Sequence, residues 1–225
     1  MCIVSFVQTE QSYIITFNRD EDPERSFTNP RKDSESGIFS PMDTIGGGTW
    51  IGCTVDYVMC LQNGGKKKHK RQTPYEQSRG VLLLELLKGA SLDKMIKSLE
   101  HIKTEPFTLS VFDRKSNTLH IYTYDGTSVF TESISTKLPH IICSSTLYDA
   151  DAFEKIQSDF VHLHPDSPEF LLEFHLTYVV NSHKNTFVHQ AVKTTSITQL
   201  ALKNQEAECV FFNLMNGEIK TYTID

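Results

Sequence analysis

The order of the apolar runs is what most constrains this chain. Residues 2–7 and 12–17 are short runs rich in Ile, Val, Phe, Tyr and Thr, and together they read as a β-hairpin. Asn18-Arg19-Asp20-Glu21 ends it, and residues 22–47, rich in Pro, Asp, Glu, Ser and Gly, read as one long loop. Gly46-Gly47-Gly48 leads into strands expected at 49–55 and 57–61. Thr73-Pro74-Tyr75-Glu76 is a capping box with Pro at the first helical position. It predicts a helix carrying Leu82, Leu83, Leu86 and Leu87 and stopping at Gly89. Ser91 is expected to cap a second helix with Met95, Ile96, Leu99 and Ile102 inward. A meander follows at 107–112, 119–124, 129–134 and 140–143, with Asp125-Gly126 as one turn. A third helix is expected from Asp151 and a fourth from Ser167-Pro168-Glu169. Strands at 196–202, 209–214 and 218–223 close the chain, the last two as a hairpin about Asn216-Gly217.

Strands, two helices, strands, two helices, strands: that order points to an α+β fold. Two antiparallel sheets packed face to face, with helices outside, would bury all the runs in one core. Other α+β arrangements satisfy the same pattern. No internal repeat or linker is apparent, so residues 1–225 read as a single domain.

Composition narrows the function classes. The chain has 225 residues, 39% of them hydrophobic and 22% charged, which is ordinary globular composition. No run approaches the ~20 apolar residues needed to span a bilayer; the stretch 81–87 is broken by Glu85. The opening residues lack the basic region of a secretory signal. No membrane insertion is expected. A net charge of −6 disfavours wholesale nucleic-acid binding. Against that balance stand Lys66, Lys67, Lys68, His69, Lys70 and Arg71, readable as a solvated loop or as a cationic flap over an anionic ligand. Cys53, Cys60, Cys143 and Cys209 lie in strand-like runs as expected inert, buried thiols. With no C-x-x-C pair, a reducing, cytoplasmic setting follows. His162-x-His164 has no nearby third ligand, and neither a phosphate loop nor a dinucleotide fingerprint is present. No metal and no cofactor is expected.

Cys2 differs because of its place. Removal of the residue before it would leave a thiol and an α-amine on one residue. The amine's reference pKa of about 7.7–8.0 lets it accept the thiol proton near neutrality. Nucleophile and base then need no separate histidine. Read alone, a cysteine here is a buried strand residue.

Further motifs run along the chain. Phe17-Asn18-Arg19-Asp20-Glu21, Gly47-Gly48-Thr49-Trp50-Ile51-Gly52 and Cys60-Leu61-Gln62-Asn63-Gly64 come first. Ser78-Arg79-Gly80, Ser144-Ser145-Thr146-Leu147-Tyr148 and Lys193-Thr194-Thr195-Ser196-Ile197-Thr198 follow. With Met1-Cys2-Ile3, this ordered set resembles the NRDE family, the group related to transport and Golgi organisation protein 2. The resemblance implies an N-terminal-nucleophile hydrolase fold, a four-layer αββα sandwich. It also implies kinship with choloylglycine hydrolases and penicillin V acylases, which cleave non-peptide amide bonds through an N-terminal cysteine.

Carried over by that resemblance, Cys2 is the expected nucleophile and Arg19 the arginine whose charge can lower a thiol pKa. Asp20 matches the acid that orients the α-amine, and Asn63 matches an oxyanion donor. Asn18, Ser144 and Lys193 are expected oxyanion or substrate contacts. Two departures stand out: Ser144 falls where the amidases carry a second oxyanion asparagine, and Lys193 where relatives often carry arginine. Lysine lacks the planar fork of arginine. Outside the resemblance, Arg19-Asp20 would read as a surface ion pair, Asn63-Gly64 as a turn and Trp50 as a core anchor. The expected partner is a small molecule; the oligomeric state is open. The alternative is a binding or trafficking protein on the same scaffold, since some members of the resembled family are linked to haem handling and lipid homeostasis.

Overall fold

A computed structural model describes residues 2–67, 69, 75–89, 94, 96, 97, 99, 103–146, 148, 150–179, 192–203 and 206–224. The strands in chain order are β1 (Cys2–Gln8), β2 (Tyr13–Glu21), β3 (Phe27–Lys32), β4 (Phe39–Asp43), β5 (Ile51–Cys53), β6 (Tyr57–Asn63) and β7 (Phe107–Asp113). They continue as β8 (Thr118–Tyr124), β9 (Val129–Ile134), β10 (His140–Cys143), β11 (Lys193–Lys203), β12 (Glu206–Asn213) and β13 (Glu218–Ile224). The helices are α1 (Arg79–Lys88), α2 (Ala150–His162) and α3 (Pro168–Glu173), which runs into a π-helical stretch, Phe174–Val179. This is an α+β protein with two large antiparallel sheets and few helices among the described residues. The strands β1, β2, β6 and β11, each with a neighbour on both sides in its sheet, are buried along nearly their whole length. Contacts gather the chain into two compact units, residues 1–24 with 135–225, and residues 25–134.

The first unit holds a six-stranded sheet in the order β10-β1-β2-β11-β12-β13. Its long partners are alternating Ile, Val, Phe and Thr, residues that fit a pleated surface. Ile3, Val7 and Ile14 from the sheet pack with Ile156, Phe160, Leu171 and Phe174 from the helical segments. α3 starts as its sequence predicts: the Ser167 hydroxyl accepts from the Phe170 N–H, with Pro168 at the first turn.

The second unit holds a seven-stranded sheet in sequential order, β3 to β9. Leu82, Leu83, Leu86 and Leu87 of α1 are buried as expected, against Met59, Leu61, Leu109 and Val111. The helix begins later than its capping box suggests. Tyr75 and Glu76 are not helical, and Ser78 is the cap, accepting from the Val81 N–H at 3.3 Å. Thr73, Pro74, Ser91 and most of the expected second helix lie outside the described residues; Leu99 is buried.

Two expectations are corrected here. The long loop at 22–47 contains β3 and β4. Pro30 and Pro41 hide them, but β3 is an edge strand whose register slips between Thr28 and Arg31, where a missing N–H is tolerated. The run 140–143 does not extend the meander. β9 is exposed over 130–133 and ends the second sheet, while β10 joins β1 in the first, burying Ile141 beside Ile3.

Candidate functional site

Three of the expected catalytic residues, Cys2, Arg19 and Asp20, and the three expected contacts, Asn18, Ser144 and Lys193, share one end of the first unit's sheet. β1 starts there, β2 ends there, β11 starts there and the chain leaves β10 there. Cys2 stands directly across from Arg19 in the β1–β2 ladder. Both are buried, each 3% exposed, and Asp20 is fully buried, so the reading of Arg19-Asp20 as a surface pair does not describe them. The antiparallel register sends the amino side of residue 2 past Asp20. The two-residue period places Arg19 on the face of Cys2, and Asn18 with Asp20 on the other.

Three neighbours hold these groups. The Ser144 N–H donates to the Cys2 carbonyl at 2.9 Å. Its hydroxyl lies 2.8 Å from that of Thr146. On the far side, the β2–β11 register shifts between Thr194 and Ser196, leaving Thr195 as the extra residue of a bulge. Arg19 Nη1 donates to Thr195 Oγ1 at 3.0 Å, and that hydroxyl donates to the Arg19 carbonyl at 3.2 Å. Thr194 Oγ1 donates to Asp20 Oδ1 at 2.7 Å. The bulge therefore grips both charged residues at the exit of β2. Lys193 is exposed and opposite Glu21, whose carboxylate accepts from the Asp22 N–H at 3.0 Å.

Burial pushes the Cys2 thiol above its ordinary range, and the Asp20 carboxylate adds to the rise, while a hydrogen bond from the Asp20 backbone opposes it. Cys143, half-buried by side-chain exposure, is raised by burial and then by Asp20. Tyr148 is raised by burial first, then by Asp20, Cys143 and Cys2, so its hydroxyl belongs to the same cluster. In contrast, burial drives His175 down to about 3. Sequence reasoning assigned no role to Thr194, Thr195, Tyr148 or His175. The first three sit inside motifs that it singled out; His175 had no signal.

Asn18 is not placed toward Cys2. Its amide bonds His175 on the other face, 2.7 Å from Oδ1 to the ring and 3.2 Å from Nδ2 to the backbone carbonyl. Asn63 belongs to the second unit, at the end of β6 opposite Phe107. Gly64 after it has φ +93°, a conformation that favours glycine, and its N–H donates to the Pro106 carbonyl at 2.9 Å, so the turn expected at Asn63-Gly64 is not formed there. In that unit Trp50 is buried against Phe27, ring edge to face. Gly48 and Gly80, from two of the quoted motifs, meet backbone to backbone, and the Thr49 N–H donates to the Gly80 carbonyl at 3.1 Å.

Of the basic segment, Lys66 lies 3.8 Å over the Phe130 ring and His69 Nε2 is 3.3 Å from Glu105. Lys68, Lys70 and Arg71 are outside the described residues. Among the described residues no group of three His, Cys, Asp or Glu could hold a metal ion, and no helix is long and apolar enough to cross a membrane. His162 Nδ1 donates to the Ser158 carbonyl at 2.7 Å.

No curated protein matches the chain. The family model for Transport and Golgi organisation 2 matches residues 1–207, and it spans every motif quoted above. The chain belongs to that family.

Proposed function

We propose that the chain is an N-terminal-nucleophile hydrolase that uses Cys2 to cleave a non-peptide C–N amide bond of a small molecule. The observation that carries this reading is the pairing of buried Cys2 with Arg19, with Asp20 on the amino side of residue 2. Removal of the preceding residue gives Cys2 a free α-amine beside the Asp20 carboxylate, which Thr194 holds at 2.7 Å. The amine takes the thiol proton as the sulfur adds to the substrate carbonyl. Collapse of the tetrahedral intermediate breaks the C–N bond, and the same proton leaves with the amine product. Water then hydrolyses the thioester, its proton returning the thiol and its oxygen staying with the acid. Arg19, fixed by Thr195, is suited to hold an anionic group or the oxyanion rather than to act as a base. The parts given to Asn63 and to Lys193 rest on the family resemblance. The cytoplasm, where thiols stay reduced, suits five cysteines none of which is in a disulfide.

One observation favours a second reading, a non-catalytic binder of a haem-like or lipid-like ligand. Ser144 stands where a second oxyanion amide is expected, and its hydroxyl is within bonding distance of Thr146. A panel of linear amides decides between the two. Hydrolysis is expected from wild type, with a thioester-linked acyl group on Cys2 by mass spectrometry, and a loss of at least about 10³-fold in Cys2→Ala. Asn63→Ala is expected to lose about 10²–10³-fold, as other oxyanion donors do. No turnover across the panel, with ligand binding unchanged in Cys2→Ala, would establish the binder instead.

A further inference from the structure

We propose that His175 is a positioning residue for the Cys2 site, a clamp that ties β1 to β2 next to Arg19 and Asp20. The inference deepens the nucleophile reading and rests on it. Ser5, Asn18 and His175 are all fully buried polar side chains. A buried polar group without a partner is costly, and here each finds its partner in the other two. Asn18 Nδ2 donates to the His175 carbonyl, so Asn18 Oδ1 is the acceptor for the ring. That requires the proton on Nδ1 and leaves Nε2 to accept from the Ser5 hydroxyl at 2.8 Å. Burial keeps the imidazole neutral, which suits this arrangement.

The geometry bridges two strands. Ser5 lies opposite Thr16 and Asn18 opposite Ile3, so the ring spans a diagonal of the β1–β2 ladder. Asn18 is the residue before Arg19, and Cys2 is the ladder partner of Arg19. Two bonds from one asparagine to one histidine fix both the amide plane and the strand that carries it. His175 is the second residue of the π-helical stretch, a conformation that is rare and recurs at functional sites. The ring also meets Phe174 edge to face at 5.7 Å, which limits its rotation. Ser5 Oγ, fully buried, is no nucleophile despite the hydroxyl–imidazole–amide chain it heads.

The test reads the alkylation rate of Cys2 at pH 6–8, with Cys53 as internal reference. His175→Asn keeps a donor near the Nδ1 position, and His175→Gln keeps one only near Nε2. The clamp predicts that His175→Gln slows Cys2 alkylation about tenfold while His175→Asn stays within about threefold of wild type. Equal rates in His175→Gln and wild type, or equal slowing in both variants, would overturn it. Imidazole ¹⁵N spectra of the unmodified protein at neutral pH give an independent reading. They should show Nδ1 protonated and Nε2 bare; the opposite tautomer or an imidazolium overturns the clamp even if Cys2 is reactive. If wild-type Cys2 reacts no faster than Cys53, the nucleophile reading fails and the positioning role goes with it, whatever the tautomer.

Discussion

At Cys2 and His175 the same burial acts on groups of opposite charge type. It disfavours the thiolate and so raises Cys2; it disfavours the imidazolium and so lowers His175 to about 3. For His175 the folded value lies below the usual 6.5, so between those two values the unfolded chain binds a proton that the folded chain refuses. Its contribution is intact above pH 6.5 and is lost as the pH falls toward 3. Urea unfolding is therefore expected to show stability falling with pH through this window, and a visibly flatter profile for His175→Gln. Identical profiles would contradict the buried neutral ring. The residues of this site were legible only in part. Cys2 stood out because it would carry a thiol and an α-amine on one residue, whereas Arg19, Asp20 and Ser144 came only through the family resemblance. Asn18 was expected as a contact, and its amide bonds His175; nothing in a sequence says which face of β2 an amide takes until its partner is known. That partner, His175, is 157 residues away.

At the level of elements, the motifs divide between chemistry and packing. Gly48 and Gly80 lie in motifs that invite a functional reading, yet a Cβ on either would meet backbone of the other segment. Gly48→Ala is expected to cost about 1–3 kcal/mol as an overpacked contact. Leu83→Ala, emptying the core under α1, is expected to cost about 2–5 kcal/mol. Urea midpoints check both, and a neutral Gly48→Ala would sever the link between motif and close approach. Most strands were legible because β-branched and aromatic runs ended in clear turns. β3 and β4 were not, because two prolines and many polar residues cover a pairing that begins with Phe27 opposite Asp43. The start of α1 was placed too early because Thr73-x-x-Glu76 satisfies the capping pattern, while Ser78 is the residue whose hydroxyl caps the helix. The bulge at Thr195 had no sequence signal; the register shift that makes it is a property of two strands, not of one.

Across the whole molecule, the first unit is assembled from both ends of the chain. β11 lies between β2 and β12, so the pairs that build the candidate site, such as Thr194 with Asp20 and Thr195 with Arg19, join segments more than 170 residues apart. Such long-range pairing closes late and costs loop entropy, so the site is complete only when the sheet is. The family match over residues 1–207 covers every one of these segments, including β11. None of the five cysteines is in a disulfide, so the other four serve as internal controls for Cys2. Site-resolved alkylation of the native protein with iodoacetamide at pH 6–8, mapped by peptide mass spectrometry, is the direct measurement. Cys2, with its amino end bared, is expected to react faster than Cys53, Cys60, Cys143 and Cys209. Labelling of Cys2 no faster than that of Cys53 or Cys60 would contradict it.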